Sequence, residues 1–557
     1  MIVGGKDRSA AAAGTAQVGG RLASGTARRC VAAALAALTL VAPGVAMARD
    51  PDPVQRISLG PLGFQPLSQE FLLAGSSMLT VDFVDTEHLL ITFGVRRLMK
   101  REPNEPASDD DRTIGAYLVE LSSGKVLART EWRLHDRSQY LWNLGHGRFL
   151  LRVRDRLTTF TPSNGLDAGD AFREVPILRL DRHIVAILLS SDADLLTLET
   201  TKYAMGSGEA SEGFSTDPAP VQINFYRLMS NGPSPEDLMV SAAGTIRTRT
   251  AVSLPMTTAG RLDLIESSKN RWLFNFVEHA GKVNELAAFD TSCFPRPVFV
   301  GHSEFVAFGC RGSDDKRDFA GFNMKGEEMW QQNFYESYVS PTFVFAPAAG
   351  RFALGRTLVS GDFDPELPLP PAIVTGQEVR VYQSYNGKLL MKTGCTPVAR
   401  AGQNFSLSPD GMRLAVVREM QVRHPATKYD GAYTQNEVNV EVYALPPLAG
   451  EDQAAVKEAL VLAPADPGAR IDEALQRNSG SQDTDSAGSS DKIVVGSGAS
   501  PVAPTMQPAA ESTAAETAAD AGSEAGVATE GDVQPAGPRK PPTLYGPDEQ
   551  PPQKPPR

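Results

Sequence analysis

Through the middle of the chain, apolar strings of four to six residues recur, each opened by a polar residue and closed by charge or a turn. A helical period is nearly absent. Residues 88–93, 148–153, 271–276, 304–308, 351–354 and 413–417 are of this kind, and their length and β-branched and aromatic content predict strands. A second pattern, apolar run, Gly-Lys, apolar run, occupies residues 116–126 and 379–389, with a third copy at 320–327 around Lys325-Gly326. Ser123-Gly124 and Asn386-Gly387 supply the positive φ of a tight hairpin, so each copy reads as two consecutive antiparallel strands.

One internal match runs without a gap over a dozen positions: residues 405–416 lie over residues 343–354, at an offset of 62. A repeat of this size cannot bury both its faces alone, so several copies must stack around one core. Dividing residues 56–445 among seven units gives about 56 residues each, near the ~40–50 of propeller repeats once the long loops 100–112 and 360–371 are allowed for. Six or eight units fit as well, and an array of β-sandwiches is the alternative for regular short strands with turn signals.

The string at 405–415, with Ser408-Pro409-Asp410-Gly411 at its centre, is followed by Val438-Asn439-Val440-Glu441-Val442-Tyr443. Together they resemble the blade signature of the WD40-like propellers of the bacterial envelope. The resemblance implies that Pro409, Asp410 and Gly411 form the turn between a blade's two inner strands and that the Val-x-Val-Tyr run is its third strand. It covers one blade well, the blade at residue 343 in part, and the rest by hydrophobic rhythm; the Trp-Asp and Gly-His pairs of true WD40 repeats are missing. The expected fold is all-β, a seven-bladed β-propeller over residues 56–445.

Composition changes at both ends. Residues 1–48 carry five basic residues and one acid, and residues 30–42 form an apolar run after Arg28-Arg29 and before Pro43-Gly44 and Ala46-Met47-Ala48. This is the layout of a secretory signal peptide, cleaved after Ala48. The run is shorter than the ~20 residues of a membrane span. An uncleaved anchor is the alternative, since about 29 residues precede the apolar run. Arg28-Arg29 admits a twin-arginine signal, although Cys30 and Val31 depart from it, and Arg29 argues against lipidation of Cys30. The protein is therefore expected to be exported, periplasmic or extracellular.

Residues 446–557 carry 8 basic and 17 acidic residues, with Tyr545 the only aromatic. Short helices are expected at 451–463 and 471–477, but the region as a whole reads as a disordered acidic tail rich in Ala, Ser and Pro, above all at 479–537. Its end, 539–557, is cationic and Pro-rich and suits polyproline II, either as a spacer or as a peptide ligand. The remaining middle has a net charge of −7, which argues against a nucleic-acid partner.

Three cysteines follow the signal. Cys293 and Cys310 bracket two short apolar stretches punctuated by Pro295, Pro297 and Gly301, a pattern of neighbouring strands, and are the expected disulfide. Cys395 is left as a small buried hydrophobe.

Candidate chemistry is sparse. The seven His are scattered, none in a His-Glu-x-x-His spacing, and His135 and His146, which flank Trp132 and Trp142, have no acid or Cys at ligand spacing. Gly301-His302-Ser303-Glu304-Phe305 approaches a nucleophile elbow but ends in Phe305 instead of Gly. The acidic segments 109–111 and 362–366 offer oxygen donors for Ca²⁺ without a 12-residue loop pattern, and the mixed charges of 311–318 suit a solvated hairpin cap. No phosphate-binding Gly loop occurs, and no metal, cofactor or catalytic residue is assigned.

Two function classes follow from this reading. The first is a non-catalytic, monomeric protein-interaction platform, binding other envelope or extracellular proteins through the ring and the Pro-rich tail. The second is a propeller enzyme, a quinone-dependent dehydrogenase or a lactonase, with its site at the central funnel.

Overall fold

The structure, a computed structural model, describes residues 52–64, 79–95, 112–134, 139–166, 169–202, 221–248, 256–310, 316–335, 342–360, 371–396, 404–426, 431–473 and 475. The expected signal peptide, His135, the acidic segments 109–111 and 362–366 and the tail from 476 onward lie outside the described residues.

Seven antiparallel sheets follow one another along the chain, six of four strands and one of three. Blades 1 to 6 span residues 80–134, 141–179, 183–248, 260–290, 296–335 and 342–395. Within each, consecutive strands pair, and the first strands of blades 6, 7 and 1 lie against one another around the axis. This is the seven-bladed propeller expected from the repeat. The two halves of the 62-residue match are the inner hairpins of blades 6 and 7, Thr342–Ala346 with Arg351–Val359 and Phe405–Leu407 with Arg413–His424. The Gly-Lys hairpins at residues 124, 326 and 387 join third strands to fourth ones.

Blade 7 is assembled from both ends of the ring. Its outer strand is Gln55–Ser58, which pairs with Tyr433–Ala444 from Gln55↔Val442 to Ser58↔Asn439. Opposite Arg56 sits Glu441, with a side chain only 1% exposed. Its carboxylate accepts from Arg56 Nε at 2.9 Å and from Tyr443 Oη at 2.6 Å, and Arg418 lies 3.4 Å away. Burial alone would raise this carboxyl, but the Tyr443 hydroxyl and the two guanidinium groups more than offset that and hold it below its usual range.

The core is divided into seven apolar clusters, each between adjacent blades. Six are filled mainly by the facing sheets. The seventh, between blades 3 and 4, is small; among the described residues blade 4 has three strands and, at its inner edge, the single bridge Met256↔Arg261. There Leu195, Ile223, Phe225 and Ala243 are joined by fully buried Ile471, which comes from beyond the ring. The helix expected at 451–463 is present, and the one expected at 471–477 is helical over its described start. Residues 446–473 are ordered: helix α1 spans Gly450–Leu462, Arg227 pairs with Asp466 at 2.7 and 3.0 Å and donates to the Ala469 carbonyl at 2.7 Å, and residues 471–473 are helical. Composition marked this stretch as tail because one buried Ile carries the packing that a core segment spreads over many residues.

Arginines at the start of second strands join neighbouring blades as well. Arg351, fully buried, donates to the Gly411 carbonyl at 2.7 Å, and Arg148 donates to the carbonyls of Gly232 and Ser234 at 2.8 and 2.6 Å. Arg413 reaches the Thr86 carbonyl of blade 1. The Cys293–Cys310 disulfide ties the connection between blades 4 and 5 to the second strand of blade 5, with the Cα atoms 5.4 Å apart. Cys395 is free and buried, and burial pushes its thiol up to about 12.

Ile471→Ala should destabilise the protein by about 2–5 kcal/mol, the range for truncating a buried aliphatic side chain. Deleting residues 446–557 should lower the melting temperature strongly, whereas deleting 479–557 should leave it nearly unchanged. Equal melting of the two truncations in calorimetry would refute the role of Ile471. Replacing Cys293 and Cys310 by Ser should cost about 3 kcal/mol in urea denaturation, as expected for releasing a 17-residue loop. Identical midpoints would show that the bridge adds nothing.

Candidate functional site

Strand order divides the ring into two faces. The turns between first and second strands and between third and fourth strands lie at one end of every blade, the turn face; second-to-third connections and the links between blades lie at the other, the loop face. Turns on the first face are short except in blade 2, where residues 161–174 join the third strand to the fourth. In blade 7 the Ser408 hydroxyl donates to Asp410 at 2.5 Å and accepts from the Arg413 amide at 2.9 Å, and Asp410 accepts from the Met412 amide at 3.0 Å. Gly411 closes this turn at φ +65°, where a Cβ would stand 2.4 Å from that of Ala349. Pro409, Asp410 and Gly411 thus lie on the turn face, against blade 6.

The same face carries a polar cluster that spans blades 3 to 5. His302, in the turn before Glu304–Cys310, places Nδ1 2.8 Å from the buried Asp192 carboxylate of blade 3. Asp194 accepts from Ser190 at 2.6 Å and from Thr258, in the turn entering blade 4, at 3.0 Å. Hydrogen bonding to Asp192 raises His302 above its ordinary value, and burial raises Glu304. Ser303 is fully buried, and its hydroxyl is spent on the Ala459 carbonyl at 2.6 Å. The turn 300–303 joins two strands, so the strand-to-helix geometry of a nucleophile elbow is not formed. Helix α1 lies over these turns and roofs a cavity of about 20 Å³ between Gly301, Glu304, Gly350, Tyr385, Val456 and Ala459. That volume suits roughly one water molecule.

The loop face differs in shape. Residues 96–111, 202–220 and 360–373 connect second to third strands in blades 1, 3 and 6. In blade 7 the strands Arg413–His424 and Tyr433–Ala444 pair over their whole length, whereas the outer strand reaches only to Asn439. The ribbon from Met420↔Glu437 to His424↔Tyr433 therefore extends beyond its neighbour. Near its tip Tyr433, 48% exposed, stacks on His424 with ring centres 4.7 Å apart.

A titratable group with no sequence signal lies on the first strand of blade 1. Asp82 is 4% exposed, and its Oδ2 has no hydrogen-bond partner. The equivalent register positions of blades 5 and 7 hold Val298 and Ser406. Nearby, Tyr140 Oη shares a hydrogen bond of 2.5 Å with Thr92, which shares another of 2.6 Å with Thr80. Burial, opposed by a hydrogen bond from Asn143, raises Asp82 from 3.8 to about 7. Of the histidines singled out by sequence, His146 occupies an exposed turn at φ +52°, while Trp132 and Trp142 belong to separate interblade cores. Among the described residues, no three His, Cys, Asp or Glu gather as metal ligands.

No protein-family profile matches the chain, and neither does any curated protein. Solved structures similar to it include a eukaryotic initiation factor, 13% identical over 65% of this chain and 78% of that one, with a TM-score of 0.28. Another is an uncharacterized protein of Listeria monocytogenes, 9% identical over 61% and 89%, with a TM-score of 0.32. A third is Chaetomium thermophilum Sqt1 bound to the N-terminus of ribosomal protein L10, 11% identical over 66% and 97%, with a TM-score of 0.31. These likenesses concern the fold alone.

Asp82→Asn should stabilise the protein at pH 8 and not at pH 4. The folded carboxyl takes up its proton at about 7 and the unfolded one near 3.8, so ionisation costs the fold progressively across that window, up to about 4 kcal/mol above it. Denaturant midpoints of the two proteins at both pH values measure this. A stabilisation equal at pH 4 and pH 8 would contradict it.

Proposed function

We propose that this chain is an exported interaction platform of the cell envelope, which binds other envelope proteins through the loop face of its propeller. The observation that carries the reading is the blade-7 ribbon. It stands beyond its outer neighbour on the face with the long connections, and it exposes Tyr433, an aromatic with a polar tip, pre-oriented by its stack on His424. A rigid aromatic of this kind binds at low entropic cost. Export is supported by the Cys293–Cys310 bridge, since such bonds persist in oxidising compartments, and by the signal layout of residues 1–48. The resemblance of residues 405–415 to envelope WD40-like blades agrees with that location. In this reading residues 479–537 are a tether that holds the cationic, Pro-rich end 539–557 near partners already engaged by the ring.

The test uses the mature chain as bait in envelope extracts, alongside Tyr433→Ala. Tyr433→Ala should lose at least tenfold in recovery of a partner that the unaltered chain captures, with its melting temperature unchanged. An unchanged set of partners would overturn the assignment of the loop face.

A further inference from the structure

The outer strand of blade 7 covers only part of the edge on which it lies. Gln55–Ser58 stops opposite Asn439, and the last contact is the Leu59 amide, which donates to the Val438 carbonyl at 3.0 Å. From there the chain leaves the sheet in a 3-10 turn at Gly60–Leu62, closed by Gly63 at φ +97°. The strand beneath continues to Tyr433, paired with Arg413–His424 without a bulge, and among the described residues no strand lies on its outer edge from 433 to 437. Native sheets guard such edges with Lys, Pro or a bulge. Here Tyr433, Thr434, Gln435 and Asn436 are exposed and uncharged, two of them good strand formers, and Glu437 is the only charge of the stretch.

An open ladder accepts a strand of matching chemistry, and the chain carries one. Beyond residue 473 the sequence holds a single run of three β-branched apolar residues, Ile493-Val494-Val495, preceded by Lys492, the only base between 478 and 538. Around it lie Ser, Gly, Ala and acids, a composition that builds no core in which the run could be buried. We propose that residues 492–496 dock on the open edge as an added strand, antiparallel to Tyr433–Ala444, with Lys492 opposite Glu437 and Gly496 opposite Tyr433. In this register Ile493, Val494 and Val495 stand opposite Asn436, Gln435 and Thr434. Opposite charges meet at one end, and the residue without a side chain meets the large ring at the other. The tail also starts from the right side of the molecule. Leu475 packs in one cluster with Val221 and Ile246, which lie at the loop-face ends of their strands in blade 3, so the chain leaves the ring on the face that carries the ribbon. The 17 residues from Leu475 to Lys492 span up to about 60 Å when extended. Docked in this way, the tail covers Tyr433 and competes with a partner for the same edge; that competition alone rests on the platform reading, and the docking does not.

The test uses the full mature chain with no partner present, so its outcome is independent of the platform reading. The double variant Ile493→Pro, Val494→Pro removes two amide donors from the run. Hydrogen exchange of the edge amides among residues 433–437 should then rise at least tenfold, while 438–444 stay protected. A fluorescent peptide of residues 489–498 should bind this variant at least tenfold more tightly than the unaltered chain, whose edge is filled, and a peptide carrying the two prolines should bind neither. Lys492→Glu should open the edge as well, and adding Glu437→Lys should close it again. The register is read with Thr434→Cys and Val495→Cys in one chain, where oxidation should join the two positions within the same molecule. Unchanged exchange in the double variant, equal binding of the peptide to both proteins, binding to neither, or a 434–495 bridge formed only between molecules would each overturn the proposal.

Discussion

A propeller is held together by its last joint. Every blade buries its faces only against two neighbours, so a ring left open at one place exposes two apolar sheet faces to water. Here that joint is four residues long, Gln55–Ser58 laid on the edge of Tyr433–Ala444. Four pairs are a weak seam on their own. Their strength comes from Glu441, whose buried carboxylate is fixed by Arg56 across the seam and by Tyr443 and Arg418 on its own side. Removing one partner of such a group would leave a charge without compensation in the interior, so slippage at the seam is opposed by far more than the loss of a strand's hydrogen bonds.

A second joint is unusual. Among the described residues blade 4 shows only a single bridge at its inner edge, and the core it shares with blade 3 is the smallest of the seven. The chain answers this deficit from its other end, carrying Ile471 back across the turn face to fill the gap. Both ends of the propeller chain are therefore used in closure, one as a strand and one as an inserted side chain. A consequence is that the turn face carries structural traffic, the interblade arginines, the acid-histidine cluster and the returning segment, while the connections 96–111, 202–220 and 360–373 lie on the loop face.

Much of this architecture was legible in the sequence because its determinants are local. Apolar strings bounded by polar residues gave the strands, Gly124, Gly326 and Gly387 gave the hairpins, and the Ser408–Arg413 turn marked a blade whose geometry is stored within six residues. Cys293 and Cys310 were paired correctly since the strands between them are short and adjacent. What stayed hidden depends on contacts distant in sequence. Ile471 is an isolated apolar residue in a polar, Ala-rich stretch, and nothing near it records the gap that receives it. Helix α1 was expected at 451–463, but its packing on the ring was not, since it lacks the apolar stripe by which a packed helix is recognised and seats Ala instead of Leu. The Asp192–His302 pair joins blades 3 and 5 over a separation that no spacing rule covers.

Asp82 shows where consistency between levels breaks down, and why that matters. Its register equivalents in blades 5 and 7 are Val298 and Ser406, so the fold has no architectural need for a carboxyl there. Its cost is large near neutral pH, because burial favours the protonated form while Oδ2 has no partner. The neighbouring hydroxyls of Tyr140, Thr92 and Thr80 already satisfy one another and leave little to offset that cost. This side chain sits at a junction where Asn143 of blade 2 and Ser406 of blade 7 both hydrogen-bond to Phe83, so the joint between the first blade and its two neighbours responds to proton concentration. The Glu441 seam responds in the opposite sense, since a depressed carboxyl loses its contribution as pH falls through its folded value. Acid thus relieves the joint at blade 1 and weakens the seam, so the two ends of the pH range strain different joints of the same ring.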